Sequence, residues 1–299
     1  MLTAVFNVLG PIMVIVSVGY LYARYRPAQM DFVNKANMDI FVPALIFSAL
    51  TEQSWSLADY SSLLVVAAIV ILLPGLLTLP MLRLMRLEAR VVVPPVMFNN
   101  SGNLGIPLLV FAFGESVLPA AVLLFIVENT LHFTIGMAIV NHGKGWLGFI
   151  KIPMIWATIA AFITHHWQMH IPLFLDRAID LTGQVAIPLM LFALGVRIGQ
   201  ARLTGLKLSV IAGLWIPLSG VASVFAGLWL IGLIGIAAPS IIHNQMLWLY
   251  AVLPPAVLNF LVAERYLSAG YQKHQVAELV LWGNLLCFIP IGIVLAFQL

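Results

Sequence analysis

Between about Val91 and Phe113 the chain carries an apolar stretch long enough to cross a bilayer, yet its middle reads Asn99-Asn100-Ser101-Gly102-Asn103-Leu104-Gly105-Ile106-Pro107. Amides, glycines and a proline at that depth do not fit an unbroken helix packed against lipid. Non-helical backbone is tolerated inside a membrane only where protein buries it or where it lines a cavity. The segment therefore predicts a discontinuous helix, the device with which transporters hold substrate.

The rest of the chain demands the same setting. Hydrophobic residues make up 62% of 299 positions and charged residues 8%, against roughly 25% charged in a soluble domain. The apolar runs are about 20 residues long, the length of a membrane helix rather than of an alternating barrel strand. An all-α integral membrane protein follows, with ten expected spans at about 2–23, 37–51, 60–82, 91–113, 117–140, 149–166, 174–197, 206–236, 240–263 and 275–297. The first run begins at residue 2 with no basic segment before it, and reads as a retained span rather than a cleaved leader.

Basic residues orient the spans. Arg24, Arg26 and Lys35 follow the first; Arg83, Arg86 and Arg90 the third; Lys144 and Lys151 the fifth. Arg197, Arg202 and Lys207 follow the seventh, and Arg265 and Lys273 the ninth, so thirteen of the fourteen Lys and Arg residues share one side. Arg177 alone falls on the other. The positive-inside rule places these loops in the cytoplasm and both termini outside. The net charge of +3 is modest and suggests no nucleic-acid partner. Cys287 stands alone in an apolar run and reads as a small core residue, with neither a disulfide nor a cysteine metal site to offer. No nucleophile–base set and no His-Glu-x-x-His pattern is present, so neither an enzyme nor a cofactor is expected.

Special backbone positions recur between the halves, 1–143 and 144–299. Pro94-Pro95-Val96-Met97-Phe98-Asn99 is answered by Pro254-Pro255-Ala256-Val257-Leu258-Asn259, both Pro-Pro-x-x-x-Asn. Pro43 through Phe47 is answered by Pro188 through Phe192, Pro11 by Pro153, and Asn129 with Phe133 by Asn284 with Phe288. Five spans is an odd number, so a second copy lies inverted in the membrane, a transporter signature. If spans four and nine both break near the middle, their second halves start at the midplane. Each such start presents unpaired N–H groups and about half a positive charge, which favours an anionic substrate.

The candidate binding residues are Asn99, Asn100, Ser101, Gly102 and Asn103 in span four and Asn259 in span nine. Asn100 and Asn103 are expected to donate amide N–H groups to a carboxylate, while Gly102 admits close backbone approach. Pro107 would start the second half-helix, where its missing N–H is harmless, and Pro254 and Pro255 would break the preceding ladder. The bland alternative for this run is a packing notch between helices. Glu128 lies near the middle of span five with His132 one turn on, sharing a face. A charge there costs about 2.5–3.5 kcal/mol on insertion scales, so the pair is a candidate for proton or cation coupling; otherwise it is a hydrogen bond holding two helices. Glu278 is expected to snorkel to the cytoplasmic surface, and Asp39, Glu264 and Arg265 to lie at that interface. Gly227, Gly232 and Gly235 read as close helix packing, and Trp55, Trp167 and Trp248 as interfacial anchors.

Asn100 through Pro107, followed by Phe113-Gly114-Glu115, resembles the signature of the auxin efflux carrier family in its bacterial branch. Pro254 through Asn259 with Ala263-Glu264-Arg265-Tyr266 resembles that family's ninth span, and Leu191-Phe192-Ala193-Leu194-Gly195-Val196 its seventh. The resemblance implies ten helices in a 5+5 inverted repeat with helices 4 and 9 crossing as broken helices. It implies helices 1, 2, 6 and 7 as a scaffold, helices 3–5 and 8–10 as a transport domain, and a homodimer through the scaffold. The implied activity is secondary transport of a small organic anion such as malate, malonate or an auxin-like acid, with H⁺ or Na⁺ as a partner, in the bacterial inner membrane. A cation or proton exchanger on the same scaffold and a transport-dead carboxylate sensor are the alternatives. The long cytoplasmic loop of the plant members is absent.

Overall fold

The computed structural model describes residues 2–26, 30–51, 56–141, 152–200 and 206–298. Trp55, Lys144, Lys151 and Arg202 lie outside them, as does the side chain of Lys207. The described residues are helical throughout, apart from turns and one isolated antiparallel bridge between Asn99 and Pro255. Among them, six helical stretches are long and apolar enough to cross a membrane: Thr3–Tyr25, Ala58–Met85, Glu115–Val140, Leu173–Gln200, Leu208–Leu233 and Gly270–Gln298. The segments expected to supply four further spans hold shorter or interrupted elements.

In chain order we label α1 (Leu2–Tyr25), α2 (Val42–Thr51), α3 (Leu57–Met85), α4 (Ala89–Met97) and α5 (Ile106–Phe113). There follow α6 (Leu118–Leu131), α7 (Pro153–His166), α8 (Leu173–Gln184), α9 (Ala186–Gln200) and α10 (Ile216–Leu233). The chain closes with α11 (Ile241–Ala251), α12 (Leu258–Tyr266), α13 (Gly270–Leu286) and α14 (Phe288–Gln298).

Prolines set several of the irregularities. Widened π-helical turns at Asn37–Phe41, Ser101–Gly105 and Ile211–Trp215 are each followed two residues later by a proline, at Pro43, Pro107 and Pro217. A pyrrolidine ring lacks the N–H for the carbonyl four residues back and collides with it, and an extra residue in the preceding turn relieves both problems. A fourth such turn, His132–Gly136, has no proline after it.

Two packing groups emerge. Helix α1 runs along α9, and α2 packs against α7 and α8. The α1–α9 crossing is a backbone-to-backbone contact: a side chain at Gly19 would strike the Phe192 carbonyl, and one at Gly195 the Val16 carbonyl. In the other group α10 lies on α3, α3 on α4, and α13 against α4 and α12. Of the three glycines expected to mediate packing, Gly227 does so, against Val66, whereas Gly232 and Gly235 have nothing within 4 Å of where a Cβ would lie. The outer faces carry exposed Phe6, Val14, Val18, Leu21, Phe225 and Trp229. A soluble monomer rarely presents so much contiguous apolar surface; here lipid covers it.

Candidate functional site

The two interrupted segments meet. Residues 98–100, between α4 and the turn Ser101–Gly105, lie antiparallel to residues 254–256, between α11 and α12. The Asn100 amide donates to the Pro254 carbonyl at 2.6 Å and the Ala256 amide to the Phe98 carbonyl at 2.9 Å. This is the non-hydrogen-bonded type of antiparallel pair, in which the two facing residues use no N–H of their own. Pro255 therefore faces Asn99 without forfeiting a ladder bond, and Pro254 is asked only for its carbonyl.

Asparagine amides close the remaining gaps. Asn259 donates to the Phe98 carbonyl at 2.9 Å and the Ala256 carbonyl at 3.0 Å. Asn284 donates to the Pro255 carbonyl at 3.0 Å and the Val280 carbonyl at 2.8 Å. Asn99 donates to the Tyr250 carbonyl at 3.1 Å, and Asn100 to the Asn284 side-chain oxygen at 3.0 Å. A buried polar group without a partner costs about 1–3 kcal/mol, so these amides are what makes extended backbone affordable at this depth. Asn99, Asn100 and Asn259, which the sequence assigned to substrate binding, turn their donors onto the protein itself. What the crossing leaves over is acceptors: the side-chain oxygens of Asn99 and Asn259 are buried and unpartnered.

Other expected residues divide between the crossing and its flank. Ser101 donates to Glu128 at 3.2 Å, and the other Glu128 oxygen lies 3.2 Å from Nδ1 of His132. Glu128 and His132 are only 2% and 1% exposed. The His132 ring stacks on Phe98 with centroids 4.3 Å apart, its Nε2 unpartnered. Glu128 is thus tied to the crossing through Ser101 and, via His132, through Phe98. Gly102 packs on Phe125, where a Cβ would come within 2.7 Å of the ring. Asn103 is half-buried and its side chain makes no hydrogen bond among the described residues. Pro107 sits in the first turn of α5. Cys287 is buried, and its thiol rests on the Asn284 carbonyl.

A cavity of about 720 Å³ opens beside this crossing. Its floor includes Val257 and Phe260 at the start of α12 and Asn284 on α13; its walls include Leu194 and Arg197 of α9; its mouth includes Asp31, Glu264 and His274. The mouth lies on the side of the basic loops. The start of α12 borders this space and lends it the partial positive charge of a helix start, although the amides of Asn259, Phe260 and Leu261 already donate to the Ala256 and Val257 carbonyls. Neither Glu128 and His132 nor the expected binding residues Asn99, Asn100, Ser101, Gly102, Asn103 and Asn259 line it.

The structure corrects two sequence readings. Glu278 does not snorkel to the surface: it is 7% exposed, lines the cavity and pairs with Nε2 of His274 at 3.1 Å. The two Pro-Pro-x-x-x-Asn motifs are not equivalent in space, since Pro94 and Pro95 lie inside α4 whereas Pro254 and Pro255 form the extended crossing. Sequence reasoning also missed Asn284 and Arg197 as site residues. The signal for Asn284 was its match to Asn129: each amide donates to the carbonyl four residues earlier, Phe125 and Val280.

The profile of the family described as "Membrane transport protein" matches residues 4–145 and 138–295. A protein of Rhizobium meliloti (strain 1021) named "Putative malonate transporter" is 27% identical over 279 residues, covering 86% of this chain and 85% of its own length. The chain belongs to the membrane transport protein family of auxin efflux carriers, as a transporter of the bacterial type.

Proposed function

We propose that this protein is a secondary carrier that moves a small organic anion, a mono- or dicarboxylate of malonate size, by alternating access. One observation carries the reading: the cavity ends on the start of α12 and on Asn284, beside the crossing of the two interrupted segments, so that the positive end of a helix borders it. Such a floor attracts a carboxylate through the partial positive charge of the helix start, and Arg197 in the wall adds a full one. The relative named as a malonate transporter supports the size class. We read the chain as ten spans in a 5+5 inverted repeat, with basic loops cytoplasmic, both termini outside, and the cavity open to the cytoplasm. The packing of α1 with α9 and of α2 with α7 and α8 supports a scaffold of spans one, two, six and seven. The other spans would then move against it, carrying the crossing. Asn103 does not line this cavity, but its amide is unspent, and it is the residue we assign to the substrate from the span-four side once the moving spans have shifted.

A cation or proton exchanger is the second reading, favoured by the unpartnered buried oxygens of Asn99 and Asn259 at the crossing and by Glu128, which shares the neighbour Tyr250 with Asn99. Counterflow of labelled malonate and malate in liposomes separates the two. The carrier reading predicts saturable exchange, strongly reduced by Asn103→Ala and by Asn284→Ala. The exchanger reading predicts no carboxylate counterflow and a gradient-driven cation flux abolished by Glu128→Gln.

A further inference from the structure

Helix α13 lays one stripe of side chains into the cavity: His274, Ala277, Glu278, Leu281 and Asn284, at positions i, i+3, i+4, i+7 and i+10, which share a face. His274 is the outer member, its side chain 58% exposed. Asn284 is the inner one. Glu278 lies between them, about 9 Å along the axis from Asn284, close enough to meet an anion seated on the floor. It is the one buried carboxyl in this space; Asp31 and Glu264 are exposed at the mouth.

An ionised Glu278 and an incoming carboxylate repel. The cavity offers three acids, Asp31, Glu264 and Glu278, against the single guanidinium of Arg197 and the imidazole of His274. Protonated, Glu278 reverses its effect and donates its O–H to the substrate. The other charged groups on packed elements do not perform this task. Arg90 of α4 bonds the Val140 carbonyl at 3.3 Å, and Arg265 of α12 is exposed over the Tyr266 ring. Glu88 is held at the start of α13 by Tyr271 and Gln272. The side chain of Lys207, near the packed segment Leu206–Val210, is outside the described set.

Resting on the carrier reading, we propose that Glu278, with His274 as its link to solvent, is the group that takes up a proton with the substrate, so that anion and proton enter the cavity together. Glu128, sealed from the cavity, holds the crossing instead.

The test is proton uptake on adding malonate to the purified carrier in weakly buffered detergent, read with an indicator dye, alongside calorimetric malonate binding. Wild type is expected to take up protons as it binds. Glu278→Gln, whose amide imitates the protonated acid, is expected to bind malonate with proton uptake lost. Uptake undiminished in Glu278→Gln, or lost in Glu128→Gln in its place, overturns the proposal while leaving the carrier intact. Wild type that neither binds nor exchanges any small carboxylate overturns the carrier reading and this proposal with it. Should Glu278→Gln not fold, His274→Ala, altered at an exposed site, is expected to shift the pH dependence of uptake; an unchanged profile overturns the assignment.

Discussion

The molecule contains two glutamate–histidine pairs at i,i+4 spacing, and they live in opposite environments. Glu128–His132 is sealed in protein, clamped by Ser101 on one side and stacked against Phe98 on the other. His274–Glu278 hangs in a cavity, its imidazole mostly in solvent. The same two side chains at the same distance therefore do different work. Where water is excluded, a partner lost is not replaced, and the pair acts as a structural clamp. Where water reaches, protonation can change with occupancy, and the pair can sense an anion. Membrane depth alone does not mark an acid as functional; what it faces does.

Breaking the clamp is expected to have the largest effect. Glu128→Ala strands Ser101 and His132, and thermal unfolding in detergent should report a loss of about 1–3 kcal/mol. Next comes the link between the two regions: Asn284→Ala removes the partner of Asn100 and uncovers the Pro255 carbonyl. It should cost a similar or slightly smaller amount, about 1–2 kcal/mol, and also depress malonate exchange. A change in stability with exchange untouched would separate the crossing from the binding floor. The cavity pair should be nearly silent by the same measure. Glu278→Gln, whose amide keeps the shape of the acid beside His274, is expected to cost less than Glu128→Ala, and His274→Ala, at an exposed position, less than about 0.5 kcal/mol; equal destabilisation by Glu128→Ala and Glu278→Gln would erase the contrast.

The break in span four was legible because amides and glycines stand out in an apolar run, and Pro107 marks where the helix restarts. The crossing partner was legible only in part. Pro254 and Pro255 do form it, but the matching motif misled, because Pro94 and Pro95 sit in a helix that ends soon after them at Met97. A proline pair states that a helix ladder is interrupted, not how far the interruption extends. The amides were read as substrate donors because a sequence does not show which acceptors a broken backbone leaves open; the Phe98 carbonyl claims Asn259, the Tyr250 carbonyl Asn99 and the Asn284 side chain Asn100. The cavity was not legible at all. Arg197, Glu264 and Glu278 each fall near the end of a run: Arg197 reads as one of the basic residues that orient the spans, Glu264 as an interface residue and Glu278 as snorkelling, and only the packing of α9, α12 and α13 around one space brings them together.

The central claim is that this cavity is the substrate's path, and thiol protection tests it directly. With Cys287 replaced by serine and a cysteine introduced by Leu281→Cys, a membrane-impermeant thiol reagent should react from the side of the basic loops. Malonate should slow the reaction, while a cysteine introduced by Leu104→Cys, at a fully buried position, should stay unreactive. Labelling of Leu281→Cys that saturating malonate leaves unchanged, in protein that still exchanges malonate, would place the path elsewhere and contradict the account.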